Sequence, residues 1–278
     1  MRQSRSLIAT LAAVFIAIAA VASLLPHRRA IGRDSAPASP TPAPIAPRAA
    51  APMPAESPAD VTLPEYKGLC SDDDVTGCER ACDRGDAASC RSLGWHYERG
   101  SGHLQKDDAR AAALFARACD GGDAMGCANL GIMYAYGQGV ARDDVKAAEA
   151  YRRACDAGNA QACTNLGVMY DNGRAVEHDE ARAAALYRRG CDNGHAHGCA
   201  NLGLMYEDGA GGLNKDDFWA VSLYRRGCDG GSAFSCMNLA RMYERGHGGL
   251  PQDAARAAEL YRQACDGGDR DACAKAGR

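Results

Sequence analysis

Fourteen cysteines are the residues of this chain best placed to do chemistry, and their spacing restricts what that chemistry is. They fall into seven pairs whose members stand eight positions apart: Cys70/Cys78, Cys82/Cys90, Cys119/Cys127, Cys155/Cys163, Cys191/Cys199, Cys228/Cys236 and Cys265/Cys273. Six of the pairs recur every 36 or 37 residues. Paired thiols can ligate a metal, cycle as a redox dithiol or form disulfides. Structural zinc sites place their thiolates two to four residues apart so that they converge on one ion. Here the pairs are wider, and no histidine recurs with the period. Redox-active dithiols favour C-x-x-C, which is absent. An even number of regularly spaced cysteines in an exported chain points to structural disulfides. No metal and no cofactor is expected.

Export is suggested by the N-terminus. Arg2 and Arg5 precede an apolar run from Leu7 to Leu25 in which only Thr10 and Ser23 are polar. Ala20-Val21-Ala22 has the small-x-small form of a signal-peptidase site. Against cleavage, the run is nearly the ~20 residues that span a bilayer. Residues 1–25 are therefore expected to be a signal peptide or an N-terminal membrane anchor, and either carries the remainder across the membrane. Residues 26–65 hold ten of the eleven prolines, mixed with alanine, and read as an extended, disordered linker that cannot bury a core. A stalk of that kind favours the anchor. The expected location is periplasmic or extracellular, with attachment to a bacterial inner membrane as the anchored form.

The elements that must hold the cysteines follow from alignment on the pairs. Each unit opens with a segment such as Cys127-Ala-Asn-Leu-Gly-Ile-Met-Tyr134. Leu130 and Tyr134 lie three and seven residues after Cys127, so the three share one helical face. Gly131, on that face, costs about 1 kcal/mol of helix propensity against alanine. It recurs as Gly94, Gly167 and Gly203, which predicts that a second backbone approaches there. A glycine-bearing loop follows, then an aspartate pair such as Asp143-Asp144 that can cap a second helix. That helix runs through Ala147, Ala148 and Tyr151 to Cys155, and Gly158, Gly194, Gly231 and Gly268 sit where a left-handed C-terminal residue is wanted. Each disulfide should thus join the end of one second helix to the start of the next unit's first helix. Helix pairs of about 36 residues that cannot bury a face alone stack into a solenoid. The fold expected for residues 66–278 is all-α: an α/α superhelical solenoid of about five disulfide-stapled helix-turn-helix repeats, near 87–122, 124–158, 160–194, 196–231 and 233–268, with partial caps.

The unit A-x-x-C-x-N-L-G-x-M-Y-x-x-G-x-G-V, followed by D-x-x-K/R-A-x-x-x-Y-x-x-A/G-C-D-x-G, resembles the Sel-one-like repeat, a relative of the tetratricopeptide repeat. The paired cysteines make it similar to the Helicobacter cysteine-rich proteins. The likeness runs over about residues 78–273. Residues 78–90 copy only the end of a second helix, so the solenoid opens on a half-unit that Cys70/Cys78 would clasp. Cys273-Ala-Lys-Ala-Gly-Arg reads as a closing helix stub.

That resemblance implies a β-lactam-binding or weakly hydrolysing protein as one function. No serine has lysine three positions on, and S-D-N and K-T-G are absent, so the residues lend the hydrolase no support. His195 and His197 lie in an inter-repeat turn, where exposed histidines are the expectation, and the other histidines are scattered among units. The reading the residues favour is non-catalytic: a rigid concave surface that binds peptides or proteins, cell-wall-related ones included. In related solenoids the first helices line that surface. Asn129, Asn165, Asn201 and Asn238 stand two residues after each opening cysteine, with Ser92 in the first unit. Such a row of amides could hydrogen-bond an extended peptide, or each could satisfy backbone groups at its own helix start. Trp95, five after its cysteine, is a candidate anchor or a residue packed on the N-terminal cap; Trp219 is expected to be buried or on the convex side. Residues 65–278 carry 26 basic and 32 acidic side chains, a balance of −6. With that sign the arginines of the Tyr-Arg-Arg runs are expected to pair with acids, and no nucleic-acid partner is expected.

Overall fold

The computed structural model describes residues 75–101 and 103–277. The expected signal or anchor, the linker and Cys70 lie outside the described residues. Twelve helices and no strand occur among the residues described: α1 Val75–Asp83, α2 Ala87–Arg99, α3 Asp108–Asp120, α4 Ala124–Tyr136, α5 Asp144–Asp156, α6 Ala160–Asp171, α7 Glu180–Asp192, α8 Ala196–Asp208, α9 Asp217–Asp229, α10 Ala233–Arg245, α11 Ala254–Asp266 and α12 Arg270–Ala276. Helices α2 through α11 form five antiparallel pairs. Before them α1 stands as a short second helix, and α12 follows as a seven-residue first helix.

The helix ends are fixed by side chains the sequence supplies at a constant register. Asp107, Asp143, Asp179, Asp216 and Asp253 each take extended backbone torsions and accept first-turn N–H groups, as when Asp143 Oδ1 accepts from Val145 N at 3.1 Å and Lys146 N at 3.0 Å. These caps satisfy donors that have no partner inside the helix. At the other end of α5, Gly158 adopts φ +91°, a region closed to most side chains. Gly158 N then donates to Cys155 O and Asn159 N to Ala154 O, both at 2.9 Å, which turns the chain directly into α6.

Six disulfides close these turns: Cys82–Cys90, Cys119–Cys127, Cys155–Cys163, Cys191–Cys199, Cys228–Cys236 and Cys265–Cys273. Each joins the last turn of a second helix to the first turn of the next first helix, as the spacing predicts. Cys78 is disulfide-bonded as well, and its expected partner Cys70 is outside the described residues. Closing so short a loop contributes about 2–3 kcal/mol on a chain-entropy estimate.

A second fastening runs between units. Arg117, Arg153, Arg189 and Arg226 each donate Nη2 to the carbonyl of the preceding second-helix cysteine, at 2.8, 2.8, 2.9 and 2.7 Å. Each also meets the aspartate that follows that cysteine: Asp83, Asp120, Asp156 and Asp192. The arginines therefore satisfy carbonyls that end a helix and place positive charge at its negative pole. The fifth unit has Gln263 at this register.

The recurring glycine is correctly placed at a close approach, but the approaching group is a ring rather than a backbone. A Cβ on Gly131 would lie 2.6 Å from the Tyr151 ring, and Gly167, Gly203 and Gly94 stand in the same way under Tyr187, Tyr224 and Phe115. These aromatics come from the unit's own second helix and are fully buried. The alanines around them bury little area each, so the ring, with a leucine and a methionine such as Leu130 and Met133, supplies the larger buried apolar side chains of the repeat.

Candidate binding surface

First helices of adjoining units touch one another (α2 with α4, α4 with α6, α6 with α8, α8 with α10), whereas the second helices approach one another less. The first helices therefore line the inner side of the curve. On α4 the residues that reach this side are Met125, Asn129, Ile132 and Tyr136, spaced at i, i+4, i+7 and i+11 as one helical stripe. Relative to the opening cysteine these are the positions two before, two after, five after and nine after. Across the five units the position five after reads Trp95, Ile132, Val168, Leu204 and Arg241.

The asparagines occupy this stripe but do not stand up from it. Asn165, Asn201 and Asn238 are only 5%, 3% and 1% exposed, while Asn129 and Ser92 are half-buried. Asn238 is committed within the fold: its Nδ2 donates to Phe234 O at 3.0 Å and its Oδ1 accepts from Arg241 Nη1 at 2.9 Å. That is the local backbone role weighed for these residues in the sequence. Asn165 stands beside the Tyr151 hydroxyl without engaging it at hydrogen-bonding geometry. Asn201 differs again, because its buried Oδ1 takes no hydrogen bond among the described residues. The floor of the groove is thus an amide row of which Asn238 alone is bound within its own helix, and its walls, the buried Val168 apart, are the residues five and nine after the cysteine.

Trp95 is half-buried, packed against the core of the first units, with the Arg99 guanidinium 4.1 Å above its ring. Arg241 lies across two helices, its Nη2 3.3 Å from Glu207 Oε1 of α8. The position five after the cysteine thus changes along the face from aromatic in α2 and aliphatic in α4 to α8 to Arg241 in α10, while arginine stands nine after the cysteine at both ends, as Arg99 and Arg245.

Beneath the stripe, each buried tyrosine seeks an acid eight residues after the opening cysteine. Tyr187 Oη donates to Asp171 at 3.1 Å, Tyr224 to Glu207 at 2.7 Å and Tyr261 to Glu244 at 2.8 Å. Units one and two break the pairing in opposite senses. In unit one Phe115 has no hydroxyl, and Glu98 carries a carboxyl that burial holds above the usual carboxylate range. In unit two the acid is replaced by Ala135, and the Tyr151 hydroxyl is buried without a hydrogen bond, its pKa pushed up by desolvation. Glu244 titrates below the usual range because the Tyr261 hydroxyl and Lys275 both hydrogen-bond it.

The expectation for His195 changes, and of the two alternatives for Trp219 the buried one falls while the outer side stands. His195 is not an exposed turn residue: its Nδ1 lies 2.8 Å from Thr164 Oγ1, its ring is 5.4 Å from that of His197, and burial first, then His197, lowers its pKa to about 4. Trp219 is not buried but 53% exposed, near the start of α9 and stacked on Tyr206 at 6.2 Å between centroids. Among the described residues no three side chains of His, Cys, Asp or Glu are grouped to hold a metal. No helix among them is long and apolar enough to cross a membrane.

Sequence models of the Sel1 repeat match residues 87–123, 124–159, 160–195, 196–232 and 233–269, the same five helix pairs. This chain belongs to the Sel1 repeat family. Its fold is similar to a Sel1 repeat protein from Oxalobacter formigenes, with 27% identity, a TM-score of 0.67, and coverage of 73% of this chain and 80% of the other. It is also similar to a protective antigen of uropathogenic Escherichia coli, with 30% identity, a TM-score of 0.64 and 73% of this chain covered. The chain spans 43% of that antigen's length. A shorter match, over 47% of this chain at 27% identity and a TM-score of 0.39, is to Helicobacter pylori cysteine rich protein B, of which 93% is covered. A comparison with curated proteins found no match.

Proposed function

We propose that this Sel1 repeat protein is an exported, non-catalytic scaffold that holds an extended peptide or unfolded protein segment along the inner face of its solenoid. The observation that supports this most directly is the contrast within each first helix. The positions facing the second helices are nearly constant, whereas the position five after the cysteine differs in every unit. A surface built on a fixed frame with variable side chains suits recognition, with apolar side chains at Ile132 and Leu204 and an aromatic anchor at Trp95. Asn129, half-buried on the same row, supplies an amide that can donate to or accept from the ligand backbone. Seven cysteine pairs in one chain suit an oxidising compartment, and the apolar N-terminal run supplies the route to it. Anchorage of the solenoid to a membrane, with cell-wall peptides as ligands, is the most specific form of this reading.

Selection from a displayed library of linear peptides tests it. Captured peptides should lose at least tenfold in affinity on Leu204→Asp or Trp95→Ala and keep it on Arg152→Glu on a second helix, compared at a temperature where circular dichroism shows every variant folded. Peptides indifferent to both inner-face substitutions would remove the groove as the binding surface. Turnover of nitrocefin by the purified chain would speak instead for the hydrolase that family resemblance raised.

A further inference from the structure

Among the five full units, one second helix breaks a rule that the other four keep. Three residues after the capping aspartate stands a cation: Arg110, Lys146, Arg182 and Arg256. In units one, two and three it covers the tyrosine seven after the opening cysteine, with Arg110 5.4 Å from the centre of Tyr97, Lys146 5.4 Å from Tyr134 and Arg182 5.5 Å from Tyr170. In unit four the position is Trp219, which stacks on Tyr206, and Phe218 beside it is 69% exposed. Half-exposed Trp219 therefore shows solvent a ring face where its neighbours carry a guanidinium or an ammonium.

The local charge shifts in the same direction. From Tyr206 to Trp219 the chain carries four acids, Glu207, Asp208, Asp216 and Asp217, against one cation, Lys215. The matching stretches Tyr97–Arg110, Tyr134–Lys146 and Tyr243–Arg256 hold acids and cations in equal number, and Tyr170–Arg182 sets four acids against two arginines. Lys215 lies 4.0 Å from Asp217, and Arg188 donates to the Tyr206 hydroxyl at 3.1 Å.

We propose that Trp219 and Phe218 dock an arginine side chain of an extended partner peptide, at a site separate from the inner groove. Indole is the aromatic face that attracts a cation most strongly, and a flat, weakly hydrated guanidinium stacks on it better than an ammonium does. Arg110 and Arg182 make the same kind of contact within this chain. The acidic stretch draws cationic segments to the ring and repels anionic ones. Phe218 offers its exposed ring to the methylene stem of the arginine, which packs on apolar surface while its head stays wet.

The experiment titrates the full chain into fluorescein-labelled Arg-Gly-Arg-Gly-Arg amide and follows anisotropy, beside the same peptide with citrulline at each arginine. Citrulline keeps the planar group and removes the charge. The arginine peptide should bind saturably, and the citrulline peptide at least tenfold more weakly. Phe218→Ala/Trp219→Ala should weaken the arginine peptide at least fivefold with helicity unchanged. Trp219→Lys, which gives unit four the residue that unit two carries, should weaken it at least tenfold. Trp95→Ala should leave its affinity within twofold, so this site and the inner groove fail or stand separately. Absence of binding by the native chain overturns the proposal, as does equal affinity for the two peptides or equal affinity in the native and Phe218→Ala/Trp219→Ala chains.

Discussion

Replacing Tyr224 and Tyr151 by phenylalanine, one at a time, should change stability in opposite directions although both rings are fully buried and pack on equivalent glycines. Tyr224 Oη donates to Glu207 at 2.7 Å, a charge-assisted bond of the kind that contributes about 1.5–3 kcal/mol. Glu207 keeps Arg241 at 3.3 Å after the hydroxyl is lost, so the carboxylate is not stranded and the lower end, about 1.5 kcal/mol, applies. Tyr151 has no such bond, and its buried hydroxyl is desolvated without return. Removing it relieves a penalty of about 1 kcal/mol or slightly more and leaves the ring in place. The two variants should therefore differ by roughly 2–3 kcal/mol in guanidinium unfolding with all disulfides intact. Unfolding in a repeat array need not be two-state, so midpoints are compared by both circular dichroism and tyrosine fluorescence. A third variant closes the argument: Ala135→Glu restores the missing acid, stabilises the Tyr151 chain, and loses that benefit in the Tyr151→Phe background. If Tyr151→Phe destabilises as much as Tyr224→Phe, the hydroxyl has a partner that the geometry does not provide, and the reasoning fails.

Three further outcomes are expected. His195, whose pKa is lowered to about 4 by burial, is neutral in the fold and charges more readily when unfolded, so the stability it protects is complete above about pH 6.5 and is lost as pH falls from there toward 4. His195→Gln should flatten that part of the stability profile, and a profile unchanged by the substitution would contradict the assignment. Under limiting reductant without denaturant, Cys265–Cys273 should be alkylated first, because Cys273 is exposed while the cysteines of the other five bridges are at most 3% exposed; equal labelling of Cys155 and Cys163 would refute this. Deletion of residues 160–195 leaves Cys155 and Cys199 eight positions apart, so the shortened chain should bridge those two and keep its helicity per residue, a pairing that peptide mapping reads directly.

Most of the frame was legible in the sequence because it is written in local terms. The eight-residue cysteine spacing, the capping aspartates and the glycines after each second helix act within one turn or one junction. Each therefore carries its meaning in its own position, and the six described bridges follow from it. The misreadings arose where two units or two helices decide the outcome together. Gly131 announces a close approach, but only the pairing of α4 with α5 reveals that the Tyr151 ring makes it. The asparagines sit on the predicted face. Their burial depends on how tightly α6, α8 and α10 crowd on the inside of the curve, and curvature is not contained in the periodicity of any one helix. His195 looked like a turn residue because its partner, Thr164, is a full repeat upstream.

The same division explains why recognition in this molecule has no local signature. Each unit commits its cysteines and its capping aspartate to holding itself and its neighbour, and the first four add the ring-on-glycine contact and the arginine that reaches back to the preceding helix. A chain of small alanine-rich units has little apolar area to spare, so these fastenings cannot drift without loosening the stack. Variation falls on the inner side of the first helices, where Val168 is buried and Arg241 pairs with Glu207 of the preceding unit, and on the exposed start of the second helices. Those are the two places where the units differ most: Trp95, Ile132, Val168, Leu204 and Arg241 on the inside, and the replacement of a covering cation by Trp219 at the edge. Stability fixed by repetition and specificity carried by exceptions to it are, in a solenoid of this kind, consequences of one constraint.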